Sequence, residues 1–391
     1  MSRYLVPGSA SPWVAAVFFR SVSSPTGFGP AGRAADFVQV RDGAFRLAGR
    51  RFRFCGTNNY YLHYKSQRMT DSVLTDAAAL GLRVVRCWGF LDGTPADGVV
   101  LQPEPFRYDE DGFEPLDHAV FRAGQLGLRL VIALTNNWSD FGGIPRYATW
   151  FSAEHDDFFH RHAIRECYRA WVTHVISRRN RYTGVPYNHE PAVMTWELAN
   201  EPRCPSDPSG DTLVAWADEM SRYVRQLAPR QLVAVGDEGF HGRADTADYP
   251  ASNQEGVVWH RLLRLPGIDY GTFHLHPQQW GEKSPGWGVR WIHDHFREAA
   301  VAGVPAVLEE FSWQDDGIAR DTVYAAWTAA VEDADGDGDQ FWLLTGRNDD
   351  GSHYPDYDGR RVIHPSATAA LFAGHAGRMS RPGREFPSRP A

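Results

Sequence analysis

Hydrophobic residues recur along this chain in short bursts, each followed by a polar tip and then a longer amphipathic stretch. FVQV (37–40) and AFRL (44–47) alternate apolar and polar positions around Arg41-Asp42-Gly43. Alternation on both sides of an Asp-Gly turn predicts a β-hairpin. From residue 51 onward the pattern becomes strand then helix, repeated eight times. The predicted strands are 51–62, 82–90, 128–138, 192–201, 231–239, 269–277, 304–313 and 339–346. Between them lie predicted helices at 70–80, 115–126, 157–179, 211–227, 255–264, 289–302 and 321–332, with a closing helix at 366–372. Thr70-Asp71-Ser72 reads as the first N-cap, while Gly81 and Gly127 stop the first two helices.

Eight strand–helix units joined by right-handed crossovers predict an α/β fold, a (β/α)8 TIM barrel with extended βα loops. The hairpin would plug its bottom. A doubly wound sheet would place a glycine-rich phosphate loop after the first strand, and GTNNYY (56–61) has none. No composition shift divides residues 36–374, so they are expected to form one domain. Residues 1–35 carry Arg3, Arg20 and Arg33, no acid before Asp36, and no clean cleavage site after the apolar Trp13–Phe19 run. They read as a leader or disordered segment, favouring a cytoplasmic over a secreted chain. Residues 375–391, rich in Pro, Gly and Arg, read as a disordered tail.

Composition narrows the partners. A formal charge of −8 with no basic stripe argues against nucleic acid, and no apolar run is long enough to span a bilayer. Cys55, Cys87, Cys167 and Cys204 form no CxxC pair, which removes a zinc ribbon and leaves a Cys55–Cys87 disulfide open. No cofactor and no metal are expected. Asp333, Asp335, Asp337 and Asp339 with Gly338 imitate a calcium loop, but Leu344 stands where the closing glutamate belongs, so a solvated acidic turn is expected. His63, His160, His162, His174 and His189 lack ligand spacing and are assigned to surface or capping roles. The 14 tryptophans exceed what a core alone usually needs, and flat apolar faces suit sugar rings.

The strand tips carry the chemistry. They offer Asn58, Asn59, Tyr60 and Tyr61; Arg86 and Trp88; Asn136, Asn137 and Trp138; Asn200 and Glu201; Asp237 and Glu238; His274 and His276; Glu309 and Glu310; and Trp342. Eight polar or aromatic tips on one barrel face predict a carbohydrate-sized cleft. Glutamates on the fourth and seventh strands would face each other across its mouth. Such pairs act as acid and nucleophile on glycosidic bonds, and a separation of about 5 Å makes the enzyme retaining. Arg86 is placed to keep one carboxylate ionised. The other, near apolar walls, would have a raised pKa and start as the acid. Asp237 and Glu238 divide evenly between substrate contact and support.

The motifs GTNNYYL (56–62), VVRCWGF (84–90), TNNW (135–138), WELANEPR (196–203), GTFHLHPQQW (271–280), VLEEFSW (307–313) and GDQFWLLTG (338–346) resemble glycoside hydrolase family 5, and within it the β-mannanase-like branch. The resemblance runs from Phe37 to about Leu371. It implies Glu201 as acid/base and Glu310 as nucleophile, with Glu309 turned back into the barrel wall. It further implies Asn200 on the sugar 2-hydroxyl, Arg86 and His274 supporting the glutamates, and Trp342 flooring the glycone subsite. Trp88, Asn136, Trp138 and Tyr60 line the remaining subsites. One departure stands out: His276 occupies the position of a tyrosine that donates to the nucleophile, and imidazole is shorter and titrates near neutrality.

The resemblance thus implies an endo-β-1,4-mannanase acting on β-mannan or manno-oligosaccharides. Exo-β-mannosidase action is the alternative, because the insertions at 91–115, 139–156 and 240–254 could close one end of the cleft. A cellulase or β-glucanase is a third substrate class, and a non-catalytic sugar-binding protein comes last.

Overall fold

A computed structural model of the chain describes residues 34–381, apart from 283 and 316. The expected leader therefore lies almost wholly outside the described residues. Strands β1 (Gln39–Arg41), β2 (Ala44–Leu47) and β3 (Arg50–Arg51) form an antiparallel three-stranded sheet. Asp42 and Gly43 both take positive φ at the first turn, as an Asp-Gly hairpin turn requires. The hairpin is joined by one extra short strand.

Eight parallel strands follow: β4 (Phe54–Asn58), β5 (Val84–Trp88), β6 (Arg129–Ala133), β7 (Val193–Glu197), β8 (Leu232–Ala234), β9 (Gly271–Leu275), β10 (Ala306–Phe311) and β11 (Gly338–Phe341). Their order is β8-β7-β6-β5-β4-β11-β10-β9, a nearly closed TIM barrel. At the β8/β9 seam, Asp269 N donates to Val233 O at 2.9 Å and His274 N to Glu238 O at 3.2 Å. The hairpin closes the barrel's lower end. Val38, Phe45 and Phe52 pack with Phe54, Val84, Val131, Met194, Leu232, Tyr270 and Val307 in one apolar cluster. These strand residues lie at or near the start of their strands, so the plug covers the end opposite the polar tips.

The crossovers are α1 (Gln67–Ala79), α2 (Glu114–Leu126), α3 (Gly143–Trp150), α4 (Asp157–His160), α5 (His162–Ser177), α6 (Asp211–Leu227), α7 (Trp259–Leu262), α8 (Pro285–Ala302), α9 (Arg320–Asp333) and α10 (Ala367–Met379). Helix α1 starts a turn earlier than its sequence suggests, because Ser66, not the buried Thr70, accepts from Met69 N at 3.2 Å. The single helix expected at 157–179 is broken at Arg161, whose backbone is extended and whose guanidinium donates to Phe151 O. The helix expected at 255–264 shrinks to α7, because Gly256 is left-handed and Val258 lies outside the helical region.

Three other expectations are corrected. Helix α10 runs to Met379, so the tail does not begin at 375; His375, fully buried, sits between Glu332 and Asp339 at 2.6 Å each. Residues 382–391 lie outside the described residues. The acidic run is not a solvated turn, for Arg51 and Arg53 pair with Asp335, Arg51 with Asp337, and Asp339 is fully buried. His63 is not at the surface: it is fully buried against Phe90 and Phe141. All four cysteines are buried free thiols. Among the described residues no helix is long and apolar enough to cross a membrane.

Candidate active site

At the C-terminal ends of the strands lies a cavity of about 750 Å³. Glu201 and Glu310 both line it, together with Tyr60, Trp88, Asn136, Trp138, Asn200, His276 and Trp342. Arg86 and His274 are fully buried behind this lining.

Arg86 organises the floor. From β5, its Nε and Nη2 donate to the two carboxylate oxygens of Glu197 at 2.7 and 2.5 Å. Nη2 also reaches Asn200 Oδ1 at 2.7 Å, and Nη1 reaches Asn58 Oδ1 at 3.1 Å and Glu310 Oε1. The planar fork of arginine suits this task, since a lysine could not hold several acceptors in fixed directions. Glu310 keeps a second donor: His276 Nε2 lies 3.1 Å from Glu310 Oε2, with the other ring nitrogen on Ser312 Oγ at 2.8 Å. The imidazole thus reaches the carboxylate despite being shorter than tyrosine. Burial pushes the Glu310 carboxyl up, but His274, Arg86 and the His276 hydrogen bond outweigh it and hold the group below its ordinary range.

Glu201 projects from the end of β7 in a left-handed backbone conformation, φ +51°. A glutamate there costs of order 1–2 kcal/mol relative to a right-handed one, and such outliers cluster at functional sites. Its amide is fixed by Gly236 O at 2.7 Å. One carboxylate oxygen faces His274 Nδ1 at 2.8 Å and the other accepts from Trp138 Nε1 at 2.6 Å. The expected raised pKa is corrected. Burial pushes Glu201 up, but the hydrogen bond and charge of His274, with His276 and Arg203, pull it well below the usual carboxylate range. His274 is displaced the opposite way: burial lowers it, and the surrounding Glu310, Glu201 and Glu309 raise it more.

Glu309 also differs from expectation. Its register slips against both neighbouring strands between Leu308 and Glu310 or Phe311. Such a bulge breaks the alternation of side chains, so both successive glutamates reach the barrel's charged cluster. Glu309 is fully buried, 3.7 Å from Arg86 Nε and 3.8 Å from His274 Nε2.

Sequence reading missed a supporting layer. Glu197, four residues before Glu201, points inward but resembles any strand residue. Arg203 makes a bidentate pair with Glu238 at 2.6 and 2.7 Å, donates to Tyr249 Oη at 2.9 Å, and lies 4.9 Å over the Trp138 ring. Glu238 therefore both lines the cavity and supports it, whereas Asp237 is buried and caps Gly239 N at 2.9 Å. Burial raises both acids to about 7. The segment 355–361 was missed too: Tyr357, Arg360 and Arg361 line the cavity, and Asp358 accepts from Trp342 Nε1 at 2.8 Å. It lacks apolar periodicity and carries no local signal. Asn200 is oriented by Arg86 and by Asn136, whose Oδ1 accepts from Asn200 Nδ2 at 2.9 Å. Trp342 stacks against Tyr60 at 6.0 Å.

Comparison with known proteins agrees with this geometry. A family profile described as GH family 5 beta-mannosidase-like matches residues 35–335. Mannan endo-1,4-beta-mannosidase 8 of Oryza sativa subsp. japonica is 35% identical over 362 residues, which is 84% of this chain and 95% of that one. The structure of the hyperthermostable endo-1,4-beta-D-mannanase of Thermotoga petrophila RKU-1 is 44% identical with a TM-score of 0.78, over 83% of this chain and 99% of its own. That of the Rhizomucor miehei endo-1,4-beta-mannanase is 33% identical with a TM-score of 0.82, over 88% and 99%.

Proposed function

The chain belongs to the β-mannosidase-like members of glycoside hydrolase family 5, and from that membership we propose that it is an endo-β-1,4-mannanase working by double displacement through Glu310 and Glu201. The observation that carries the mechanism is the proximity of the two carboxylates. One oxygen of each lies within 4.8 Å of the other, the short separation of retaining rather than inverting glycosidases. Glu310, ionised and pinned at both oxygens, attacks the anomeric carbon. Glu201 protonates the departing glycosidic oxygen, then takes a proton from the water that releases the sugar. The opposite shifts of Glu201, lowered, and His274, raised, favour the proton on the imidazole in the substrate-free protein. The 2.8 Å contact lets it pass to Glu201 once sugar displaces water from the cleft.

Endo action is supported by where the lining residues come from. In the strand order, β4, β5, β6 and β11 lie on one side of the line from β7 to β10, and β8 and β9 on the other. Tyr60, Trp88, Trp138 and Trp342 line the cavity from the first side, Tyr249 and Trp280 from the second. A chain can therefore be gripped on both sides of the bond that is cut. Products from linear β-1,4-mannan test this: early release of mixed oligosaccharides is expected. Mannose alone would mean exo action, and faster hydrolysis of a β-1,4-glucan would move the substrate class.

A further inference from the structure

The two reactive pairs together form a four-donor cluster. Glu201, His274, His276 and Glu310 each offer one ligand atom, and all four atoms lie within 4.8 Å of one another. The facing atoms are Glu201 Oε1 and His274 Nδ1, 2.8 Å apart, and Glu310 Oε2 and His276 Nε2, 3.1 Å apart. Tetrahedral bonds of about 2.0–2.2 Å place neighbouring donors about 3.4 Å apart, so the Glu201–His274 pair would open by about 0.6 Å and the Glu310–His276 pair by about 0.3 Å to admit an ion.

In three of the four donors the remaining atom is already held, whereas His274 Nε2 has no hydrogen-bond partner. Trp138 Nε1 takes Glu201 Oε2 and Arg86 takes Glu310 Oε1. Ser312 Oγ holds His276 Nδ1, and His274 Nε2 faces Glu309 at 3.8 Å. Such outer partners orient metal ligands. Glu309 is buried beside the cluster in addition to its own two glutamates, opposite Arg86 and the proton on His274, which the ion displaces on binding. Entry is through the cavity, which Glu201, His276 and Glu310 line.

We propose that Glu201, His274, His276 and Glu310 form a binding site of the substrate-free protein for one divalent ion of the zinc and copper class. Two imidazoles select borderline transition ions over calcium or magnesium, which require oxygen ligands. His276 decides the matter, because a tyrosine there would leave a single nitrogen donor. An ion so placed bridges the two reactive carboxylates and blocks them. That blocking effect rests on the functional reading above; the binding itself does not.

The test is titration of the full-length, chelator-treated protein with zinc by calorimetry and with cobalt(II) by absorption. One ion per chain is expected, with visible bands of a tetrahedral nitrogen–oxygen site and no thiolate-to-cobalt charge-transfer band. His276→Tyr and, independently, Glu201→Gln should each weaken zinc at least tenfold while their circular dichroism matches the parent. Absence of stoichiometric binding would overturn the proposal. So would a thiolate band, which would move the ion to the buried Cys55, Asp339 and His375, or unchanged affinity in both folded variants. Zinc binding in a protein that does not hydrolyse mannan would leave the site standing and remove the functional reading.

Discussion

Glu310 has both oxygens engaged by positive or donating groups, and Glu201 has one oxygen on an imidazole and one on an indole. If Glu310 is the nucleophile proposed, Glu310→Gln should lower turnover about 10⁴-fold or more, with the fold unchanged by circular dichroism. Glu201→Ala should cost about 10²–10⁴-fold on mannan, and less on an aryl mannoside whose leaving group needs no proton; equal losses on both would contradict the acid role. His63 offers a separate prediction about stability. It is fully buried, no side-chain hydrogen-bond partner meets its ring nitrogens, and burial lowers its pKa to about 3. The unfolded chain binds a proton at this position near pH 6.5 and the folded chain does not, so stability is complete above that pH and falls as pH drops toward 3. Between pH 8 and pH 5 the loss amounts to about 2 kcal/mol. Urea unfolding at the two pH values should show this loss shrinking by that amount in His63→Phe.

Among the elements, α10 is held by a buried bridge, Glu332–His375–Asp339, with Arg378 backing Glu332. His375→Ala would leave Asp339 buried without its cation, a loss of about 3–5 kcal/mol. Denaturant unfolding should register it while kcat on mannan at low temperature stays unchanged, because no residue of α10 lines the cavity and His375 meets β11 at Asp339, on the part of the strand away from Trp342. The segment 355–361 is the opposite case. Asp358→Ala removes the acceptor that fixes Trp342, so KM for manno-oligosaccharides should rise several-fold without loss of stability. The difference in legibility between these elements has a physical basis. Strands such as β7 and β10 announce themselves, because apolar runs ending in polar tips can only be buried as barrel strands. Helix α6 is legible to the residue, since its apolar stripe and flanking loops agree. The break at Arg161, the bulge that turns Glu309 inward and the extent of α10 depend on tertiary hydrogen bonds, which leave no periodic trace. The site was legible where a strand tip supplied it, as with Glu201, Glu310 and His276. It was hidden where a residue acts through another, as Glu197 acts through Arg86 and Arg203 through Trp138.

At the scale of the whole molecule, a plugged barrel presents one open face, and five buried carboxyl groups there, with the half-buried Glu201, surround two guanidiniums and two imidazoles. So much buried charge is costly unless it is paired, and the pairing gives the two facing glutamates, Glu201 and Glu310, fixed positions and lowered pKa values in the resting protein. The central claim is that Glu310 forms a covalent bond to mannose. Incubation with 2-deoxy-2-fluoro-β-mannosyl fluoride, followed by peptide mass spectrometry, tests it most directly. One fluoromannosyl group on the peptide carrying Glu310 is the predicted result; a label on Glu201, or inactivation with no label, would contradict it.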